Sequence, residues 1–253
     1  MLIGTVSEAV AAGRRRSFEE GQFRGMADYL FETPPGEPLG PQALIARQAP
    51  GWSLPVHFHM QHQFQVVLRG SGALGPHRLL PGNVHYTSPQ SAYGPIVAGP
   101  EGLDYFTLRV LTDKGAWYLP EARSVMTMGM FKEQKWGAPQ SADAPLETLI
   151  APRADGLGAW ALRPRAGSTL AVPAATAAAG RFQLVISGRF VIASRELDAG
   201  TCVYRARGED TPITALADGG LVVVVQFPAE AHSNDVPPEL RMAPSARGKP
   251  VAG

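Results

Sequence analysis

One glycine-punctuated pattern recurs along this chain at a constant distance. The segment FQVVLRG at 64–70 returns as FQLVISG at 182–188, which is 118 residues further on. Three pairs of glycines share this separation: Gly70 and Gly188, Gly82 and Gly200, and Gly102 and Gly220. Solenoid repeats run about 20–50 residues, so a repeat of this length indicates two consecutive copies of one domain.

Each copy has the composition of a β-rich domain. Glycine and proline are abundant, at 28 and 23 of 253 residues, and the apolar runs are short and rich in β-branched residues. We predict an all-β chain with a short N-terminal extension, a first barrel over 1–112 and a second over 145–229. Residues 113–144 are predicted to form a linker that packs on the barrels, since its aromatic residues and methionines would otherwise be exposed. Residues 230–253 are predicted to be an extended or disordered tail.

Charge and composition exclude several classes of function. A net charge of +1 with 18% charged residues gives no electrostatic basis for binding nucleic acid or a membrane surface. No run approaches the 18 apolar residues of a membrane span, and the N-terminus lacks the pattern of a signal peptide. The single cysteine, Cys202, excludes an intrachain disulfide. We therefore expect a cytoplasmic protein.

The segment 51–70, GWSLPVHFHMQHQFQVVLRG, contains a spacing that is typical of metal sites. His57 and His59 are two residues apart in a strand-like run, so both side chains lie on one face of the strand. Their Cβ atoms would be roughly 6–7 Å apart, close enough for two imidazoles to share one metal ion. The alternative is a histidine pair that is satisfied by hydrogen bonds alone.

The whole pattern of this segment is Gly51, five residues, His57, one residue, His59, three residues, Gln63, six residues and Gly70. It resembles the first conserved motif of the cupin superfamily, G-x5-H-x-H-x3-E-x6-G, with glutamine in place of the metal-binding glutamate. The resemblance implies two tandem cupin-type jelly-roll barrels. The superfamily includes dioxygenases, isomerases, decarboxylases and small-molecule-sensing domains, so the fold alone does not determine the function.

The resemblance also implies where further site residues lie. In cupins a histidine follows the glycine of the second motif by eleven residues, and Tyr93 stands at that distance from Gly82. Tyr93 could ligate a metal as a phenolate or, more in keeping with a phenol, form a hydrogen bond. His85, in the same motif, could complete a set of three histidines if its side chain points into the barrel. The strand pattern does not decide its direction.

Two glutamines in the first motif have open roles. Gln63 could be a weak neutral metal ligand, or it could hydrogen-bond a substrate or water. Gln65 lies two residues further on the same face and could be a second polar contact in the pocket. The predicted site therefore has His57, His59, Gln63 and His85 as metal ligands and Tyr93 and Gln65 as catalytic groups.

A polar series alternates along YFTLR at 105–109. Tyr105, Thr107 and Arg109 share one face of this strand, and an inward Arg109 could bind a carboxylate bidentately. We predict that this face points outward, because Phe106 and Leu108 would then fill the barrel and apolar residues usually face the core.

The second copy lacks the histidine pair. The aligned positions hold Pro173 and Ala175, or Ala175 and Ala177, and Arg181 stands at the position of Gln63. We predict that this barrel is degenerate and cannot bind metal as the first could. A structural role, a second apolar pocket or homodimer formation remain open for it.

The leading hypothesis from the sequence is an enzyme with one divalent metal ion, Fe, Mn, Ni or Zn, that acts on a small oxygenated organic molecule. A dioxygenase-type oxidoreductase is the first choice, because few protein ligands leave room for a chelating substrate and O2. One alternative is a metal-free cupin that binds or senses a small molecule. Another is a cupin isomerase or lyase that does not need O2.

Overall fold

The fold is almost entirely β, which confirms the predicted class. The computed structural model describes residues 1–34, 37–113, 115–171, 177–209, 212–233, 236–237, 240 and 249–251. Their strands are β1 (Leu2–Gly4), β2 (Arg15–Phe18), β3 (Gly25–Phe31), β4 (Gln42–Gln48), β5 (Ser53–Leu54), β6 (His57–Phe58), β7 (Gln63–Leu74), β8 (His77–Leu79), β9 (Val84–Thr87), β10 (Ile96–Arg109), β11 (Trp117–Tyr118), β12 (Gln134–Gly137), β13 (Leu146–Ile150), β14 (Gly158–Leu162), β15 (Thr169–Leu170), β16 (Gly180–Ser187), β17 (Arg189–Ile192), β18 (Arg195–Asp198), β19 (Cys202–Ala206), β20 (Ile213–Ala215), β21 (Leu221–Phe227) and β22 (Lys249–Pro250). The helical segments are the α-helix Val6–Ala11 and the 3-10 helices Glu121–Val125 and Ala229–His232.

The strands form two barrel-like halves. In the N-terminal half, a large antiparallel sheet has the order β12-β9-β7-β10-β4-β3-β2-β22, with β5 on β10, β8 on β7 and a small β11-β6 sheet beside it. In the C-terminal half, the sheet β1-β19-β16-β21-β14-β13 packs against the sheet β15-β20-β17-β18. Strand β1 joins the C-terminal half, whereas β12 and β22 join the N-terminal half. The N-terminal extension, the predicted linker and the predicted tail thus each supply a strand to one of the two sheets.

The internal repeat is present in the strand register. Phe64 of β7 lies opposite Tyr86 of β9, and Phe182 of β16 lies opposite Tyr204 of β19. Both members of the second pair are 118 residues beyond those of the first. The two halves therefore repeat not only the strands but also their pairing.

Glycines with left-handed backbone recur at matching positions of the repeated strands. Gly70 and Gly188 have φ of +81° and +84°, values that an L side chain rarely adopts. The third predicted pair is wrong by one residue: Gly102, with φ of +83°, corresponds to Gly219, with φ of +81°, and not to Gly220. The connection in the second copy is one residue shorter, so the separation becomes 117 from this strand onward.

The largest apolar core lies between the two halves. It contains fully buried side chains from both large sheets, among them Phe64, Phe106 and Leu108 from the first half and Phe182 and Phe227 from the second. Separate apolar clusters lie inside each half. The large sheet of the N-terminal half is therefore buried on both faces: one face packs on the other half and the opposite face lines its own interior.

Five neighbouring strands of that sheet are linked by a ladder of ion pairs. In sheet order, its members are Arg15 of β2, Asp28 of β3, Arg47 of β4, Asp104 of β10 and Arg69 of β7. The nitrogen–oxygen distances run from 2.5 to 2.9 Å. Each aspartate bridges two arginines from the strands beside it, so the ladder holds β2, β3 and β4 against the centre of the sheet.

The segment after the first barrel packs on it only in part. Trp117 is buried and its strand pairs with β6, as expected of a packed linker. Met128 and Phe131, which were also expected to pack, are 96% and 74% exposed. The prediction is wrong for these two side chains, which lie outside any strand between the 3-10 helix Glu121–Val125 and β12.

Candidate functional site

A cavity of about 460 Å3 lies inside the N-terminal half. It opens to solvent beside the exposed residues 20–22. Aromatic side chains from several strands form part of its wall, including Phe18, Phe23, Tyr29, Tyr105 and Tyr118. A group that we call the polar cluster forms or supports another part: His57, His59, Gln63, Tyr93 and Arg109. A volume of this size, with a few converging polar groups, is typical of a small-molecule site.

The two histidines of the HxH motif lie side by side in this cluster. The ring centroids of His57 and His59 are 5.4 Å apart and the rings meet edge to face. His57 Nδ1 donates to the carbonyl of Pro55 at 2.7 Å, which leaves Nε2 with its lone pair. Burial lowers the pKa of His57 to about 3, so the ring is neutral at physiological pH.

His59 lies between a cation and an anion. Its Nδ1 is 3.0 Å from Arg109 Nη2 and 3.3 Å from Asp113 Oδ2. Because a guanidinium can only donate, Nδ1 must accept and the neutral ring carries its proton on the other nitrogen. Burial and the nearby charge of Arg109 lower the pKa of His59, which keeps it in this form.

Gln63 links Arg109 to Tyr93. The guanidinium of Arg109 donates to Gln63 Oε1, and Gln63 Nε2 donates to the Tyr93 hydroxyl oxygen at 2.7 Å. The donor-only guanidinium determines which end of the amide faces it. The Tyr93 oxygen is thus an acceptor towards Gln63 and keeps its own hydrogen to donate, and burial raises the pKa of Tyr93 so that it stays protonated.

Gln65 and His85 form a second layer beside the cluster. Gln65 lines the cavity and its Oε1 is 3.1 Å from His85 Nδ1, while His85 Nε2 is 3.1 Å from Gln134 Oε1. The His85 ring packs between Tyr93 and Trp136, with centroid distances of 5.0 and 3.9 Å. Both nitrogens of His85 are therefore engaged by amides, and the ring does not join the histidine pair.

Arg109 points into the cavity, which corrects the outward orientation predicted from the sequence. Tyr105, Thr107 and Arg109 all line the cavity, whereas Phe106 and Leu108 pack in the core between the halves. Apolar residues do face a core here, but that core lies outside the barrel. Alternation along one strand could not reveal this, because both faces of β10 are buried.

The guanidinium of Arg109 has neutral hydrogen-bond partners. Nη1 donates to Gln42 Oε1 at 2.5 Å and to the main-chain carbonyl of Asp113 at 3.3 Å, and Nη2 donates to His59 and Gln63. No carboxylate among the described residues lies within ion-pair distance of it. Sequence reasoning did not single out Gln42 or Asp113, since neither stands in a motif. Only the pairing of β4 with β10, which puts Gln42 opposite Arg109, brings the first of them to the site.

The polar cluster, as arranged, does not fit a divalent metal ion. Two of the predicted ligands, His59 and Gln63, already accept hydrogen bonds from Arg109. A metal held at about 2.1 Å by the Gln63 oxygen would lie within about 5 Å of the guanidinium. At that distance each unit of its charge would cost roughly 3 kcal/mol at an effective dielectric constant of about 20. The described part of the chain contains no group of three His, Cys, Asp or Glu residues placed to hold a metal.

The second half carries a related pair with the residues exchanged. Arg181, which corresponds to Gln63, donates through Nη2 to Gln226 Oε1 at 2.8 Å, and the two lie opposite each other in neighbouring strands. Gln226 corresponds to Arg109 at the separation of 117 residues. An arginine–glutamine pair therefore spans the same two strands in both halves.

The predicted replacements of the histidine pair in the second half are described only in part. Pro173 and Ala175 lie outside the described residues, and Ala177 follows a gap in them. The degenerate character of this barrel therefore stays a prediction.

Two sheet-built halves, each enclosing its own interior and packed on the other, together define the class: the chain has the two-barrel cupin fold. It is similar to the bacterial pirin YhhW from Escherichia coli solved in complex with nickel(II), at 12% identity and a TM-score of 0.56 over 90% of this chain and 98% of that one. It is similar to oxalate decarboxylase from Bacillus subtilis, at 13% identity and a TM-score of 0.57 over 90% and 76% of the two chains. GK1651 from Geobacillus kaustophilus gives 15% identity and a TM-score of 0.55 over 90% and 95%.

Pirin and oxalate decarboxylase have cupin folds, so the likeness confirms the fold that the first motif implied. At 11–15% identity the likeness concerns the fold. No family model and no curated protein matches the sequence. No helix among the described residues is long and apolar enough to cross a membrane.

Proposed function

We propose that the N-terminal barrel binds a small organic molecule in its cavity and does so without a metal ion. The observation that carries the proposal is the hydrogen-bonding of Arg109 to His59 and Gln63, two positions that hold metal in the cupin motif. The cation that organises the polar cluster is thus part of the chain itself. This is the binding or sensing alternative that the sequence left open.

The cavity wall supports recognition of a ligand with a polar end and an apolar body. Tyr93 has a hydroxyl hydrogen left to donate, and His57 Nε2 can accept. Aromatic rings, among them Tyr105 and Tyr118, offer the apolar contact area on which small-molecule affinity depends. Ligand and side chains would meet in a site that is already formed, so little ordering energy is lost on binding.

The test is a thermal-shift screen of untagged protein in EDTA against small organic acids, amides, alcohols and phenols. A binding compound is expected to raise Tm as strongly in EDTA as without it. Ala27 is buried and lines the cavity, so Ala27→Leu should fill part of it and weaken the affinity of the compound at least tenfold. The matched control is Ala12→Leu at an exposed position, which should change affinity less than twofold. Equal binding by the two variants would place the ligand elsewhere and end the proposal.

A second candidate is a metal-dependent cupin enzyme, either a dioxygenase-type oxidoreductase or an isomerase or lyase that does not need O2. The hydrogen bond from His57 Nδ1 to the Pro55 carbonyl favours it, because metal-bound histidines commonly donate their other nitrogen in this way. In this candidate Arg109 would have to leave His59 and Gln63. His85 would likewise have to leave Gln65 or Gln134 to act as the fourth proposed ligand, with Tyr93 and Gln65 as catalytic groups.

Elemental analysis of the untagged protein separates the two candidates. Near one iron, manganese, nickel or zinc atom per chain would favour the enzyme, and His59→Ala should then abolish metal binding while the barrel stays folded. Absence of metal after incubation with an excess of each ion is the result expected from the first proposal. Turnover with and without O2 would next distinguish an oxygenase from an isomerase or lyase.

A further inference from the structure

The polar cluster holds a buried positive charge that makes no ion-pair contact with an acid among the described residues. Arg109 is 3% exposed and carries the permanent positive charge of a guanidinium. Its four donated hydrogen bonds go to two amides, an imidazole and a main-chain carbonyl, and Nε has no partner among the described residues. The Asp113 carboxylate accepts from the main-chain nitrogen of Met60 and lies by His59, without ion-pair contact to the guanidinium. Glu32 also lines the cavity and reaches Arg109 only through Gln42. These two acids offset part of the charge from a distance, and neither pairs with it directly.

A buried charge without a counter-ion in direct contact is costly, and a bound ion of opposite charge lowers this cost. Tyr93 lines the same cavity, and its hydroxyl hydrogen is available to a ligand because its oxygen is the acceptor in the bond from Gln63. Arg109 and Tyr93 therefore both favour a ligand group that accepts hydrogen bonds and carries negative charge.

We infer that the ligand of the N-terminal barrel is a small organic carboxylate, whose charge Arg109 compensates and whose oxygen accepts from Tyr93. The inference rests on the proposed metal-free binding function and names its ligand class. The aromatic wall adds that the rest of the ligand is apolar, which describes a monocarboxylate with an aliphatic or aromatic body.

The arginine–glutamine pair of the second half raises a purely structural explanation for Arg109. The surroundings of the two pairs differ, however. At the positions of Tyr105 and Thr107 the second half has Val222 and Val224, which are fully buried in the apolar cluster inside that barrel. The positions beside Arg109, in contrast, line a cavity. A pair with a structural role alone would not need this space next to the charge.

The experiment compares monocarboxylates of four to ten carbons, linear, branched and aromatic, with their neutral amides by calorimetry in EDTA. Wild-type protein is expected to bind the best carboxylate at least tenfold more tightly than its amide. Gln63→Glu keeps the side-chain shape and places an acid against Arg109. The affinity for the carboxylate should fall at least tenfold, and the affinity for the amide should change less than threefold. The control, Gln140→Glu, adds the same charge at an exposed position and should leave both affinities within twofold.

A melting curve checks that each variant is folded. If Gln63→Glu did not fold, Gln42→Glu would replace it, since Gln42 Oε1 is 2.5 Å from the other terminal nitrogen of the guanidinium. Unchanged carboxylate affinity in either folded variant would overturn the role of Arg109. Amides that bind as tightly as carboxylates, or a neutral compound as the only binder, would overturn the ligand class and leave the proposed function intact. If no compound binds in the thermal-shift screen described above, both the carboxylate ligand class and the proposed binding function are rejected.

Discussion

Replacing Phe182 with alanine is expected to lower the free energy of unfolding of the whole chain by about 3–5 kcal/mol. Phe182 is fully buried at the junction of the two barrels. Its ring stacks on Phe31 of the first half at 6.4 Å between centroids and contacts Phe227 of its own half at 5.6 Å. The substitution would remove ring contacts on both sides of the junction and leave a cavity that rigid sheets cannot close.

This result is best measured by urea denaturation, with hydrogen exchange of peptides from each half read by mass spectrometry. Because the core is shared, we expect both halves to lose protection in one transition. Phe131→Ala is the matched control: the same side chain is removed from a position that is 74% exposed, and the change should stay within about 0.5 kcal/mol. Two separate transitions, with the first barrel unaffected, would show that the halves are independent domains.

The sequence predicts well those features of the fold and the site that depend on local geometry. The duplication could be predicted because glycines such as Gly70 and Gly188 must adopt left-handed backbone, and such positions are visible in a sequence. The neighbourhood of His57, Gln63 and Tyr93 could be predicted because the motif sets spacings within and between adjacent strands. These features depend on local geometry, which the order of residues determines.

Features that depend on long-range packing were not accessible in the same way. The sequence predicts Arg109 on the outside because Phe106 and Leu108 are expected inside, but the second barrel offers these two residues another core. The direction of His85 depended on strand parity, and its partner Gln134 comes from a segment 49 residues away. One missing residue before β21 shifted the third glycine pair from Gly220 to Gly219.

Asp28→Asn is expected to destabilise the protein by about 3 kcal/mol at neutral pH, because it breaks a buried ion pair by removing one partner. The Asp28 carboxylate is fully buried and accepts from Arg15 Nε at 2.5 Å and from Arg47 Nε at 2.8 Å. Urea denaturation at pH 7 would measure the loss. Glu196→Gln removes an acid from the exposed pair with Arg189, and it should cost less than about 1 kcal/mol. Equal effects of the two substitutions would contradict a stabilising role for the ladder.

The Asp28 carboxylate also makes the free energy of unfolding depend on pH. Burial alone would raise the pKa of Asp28, but hydrogen bonds from Arg15 and Arg47 outweigh it and lower the pKa. A carboxyl with a lowered folded-state pKa stabilises the protein above its unfolded value of about 3.9, and this stabilisation is lost as pH falls through the folded-state pKa. The difference in free energy of unfolding between wild type and Asp28→Asn should therefore have its full value at pH 5–7 and become smaller below pH 4.

The ion-pair ladder also supports the wall of the cavity, because Asp28 lies on β3, which forms part of that wall. Its neighbours Ala27 and Tyr29 project to the opposite face of β3 and line the cavity, and Arg15 holds β2, whose Arg16 and Phe18 also line it. Loss of the buried charge should loosen β2 and β3 before the centre of the sheet, where Arg109 lies. Compounds that bind wild-type protein should thus lose affinity to Asp28→Asn in step with its stability, and added ligand should raise its Tm. Unchanged affinity in a destabilised variant would mean that the ligand is held by the polar cluster alone and makes no use of the wall that β2 and β3 provide.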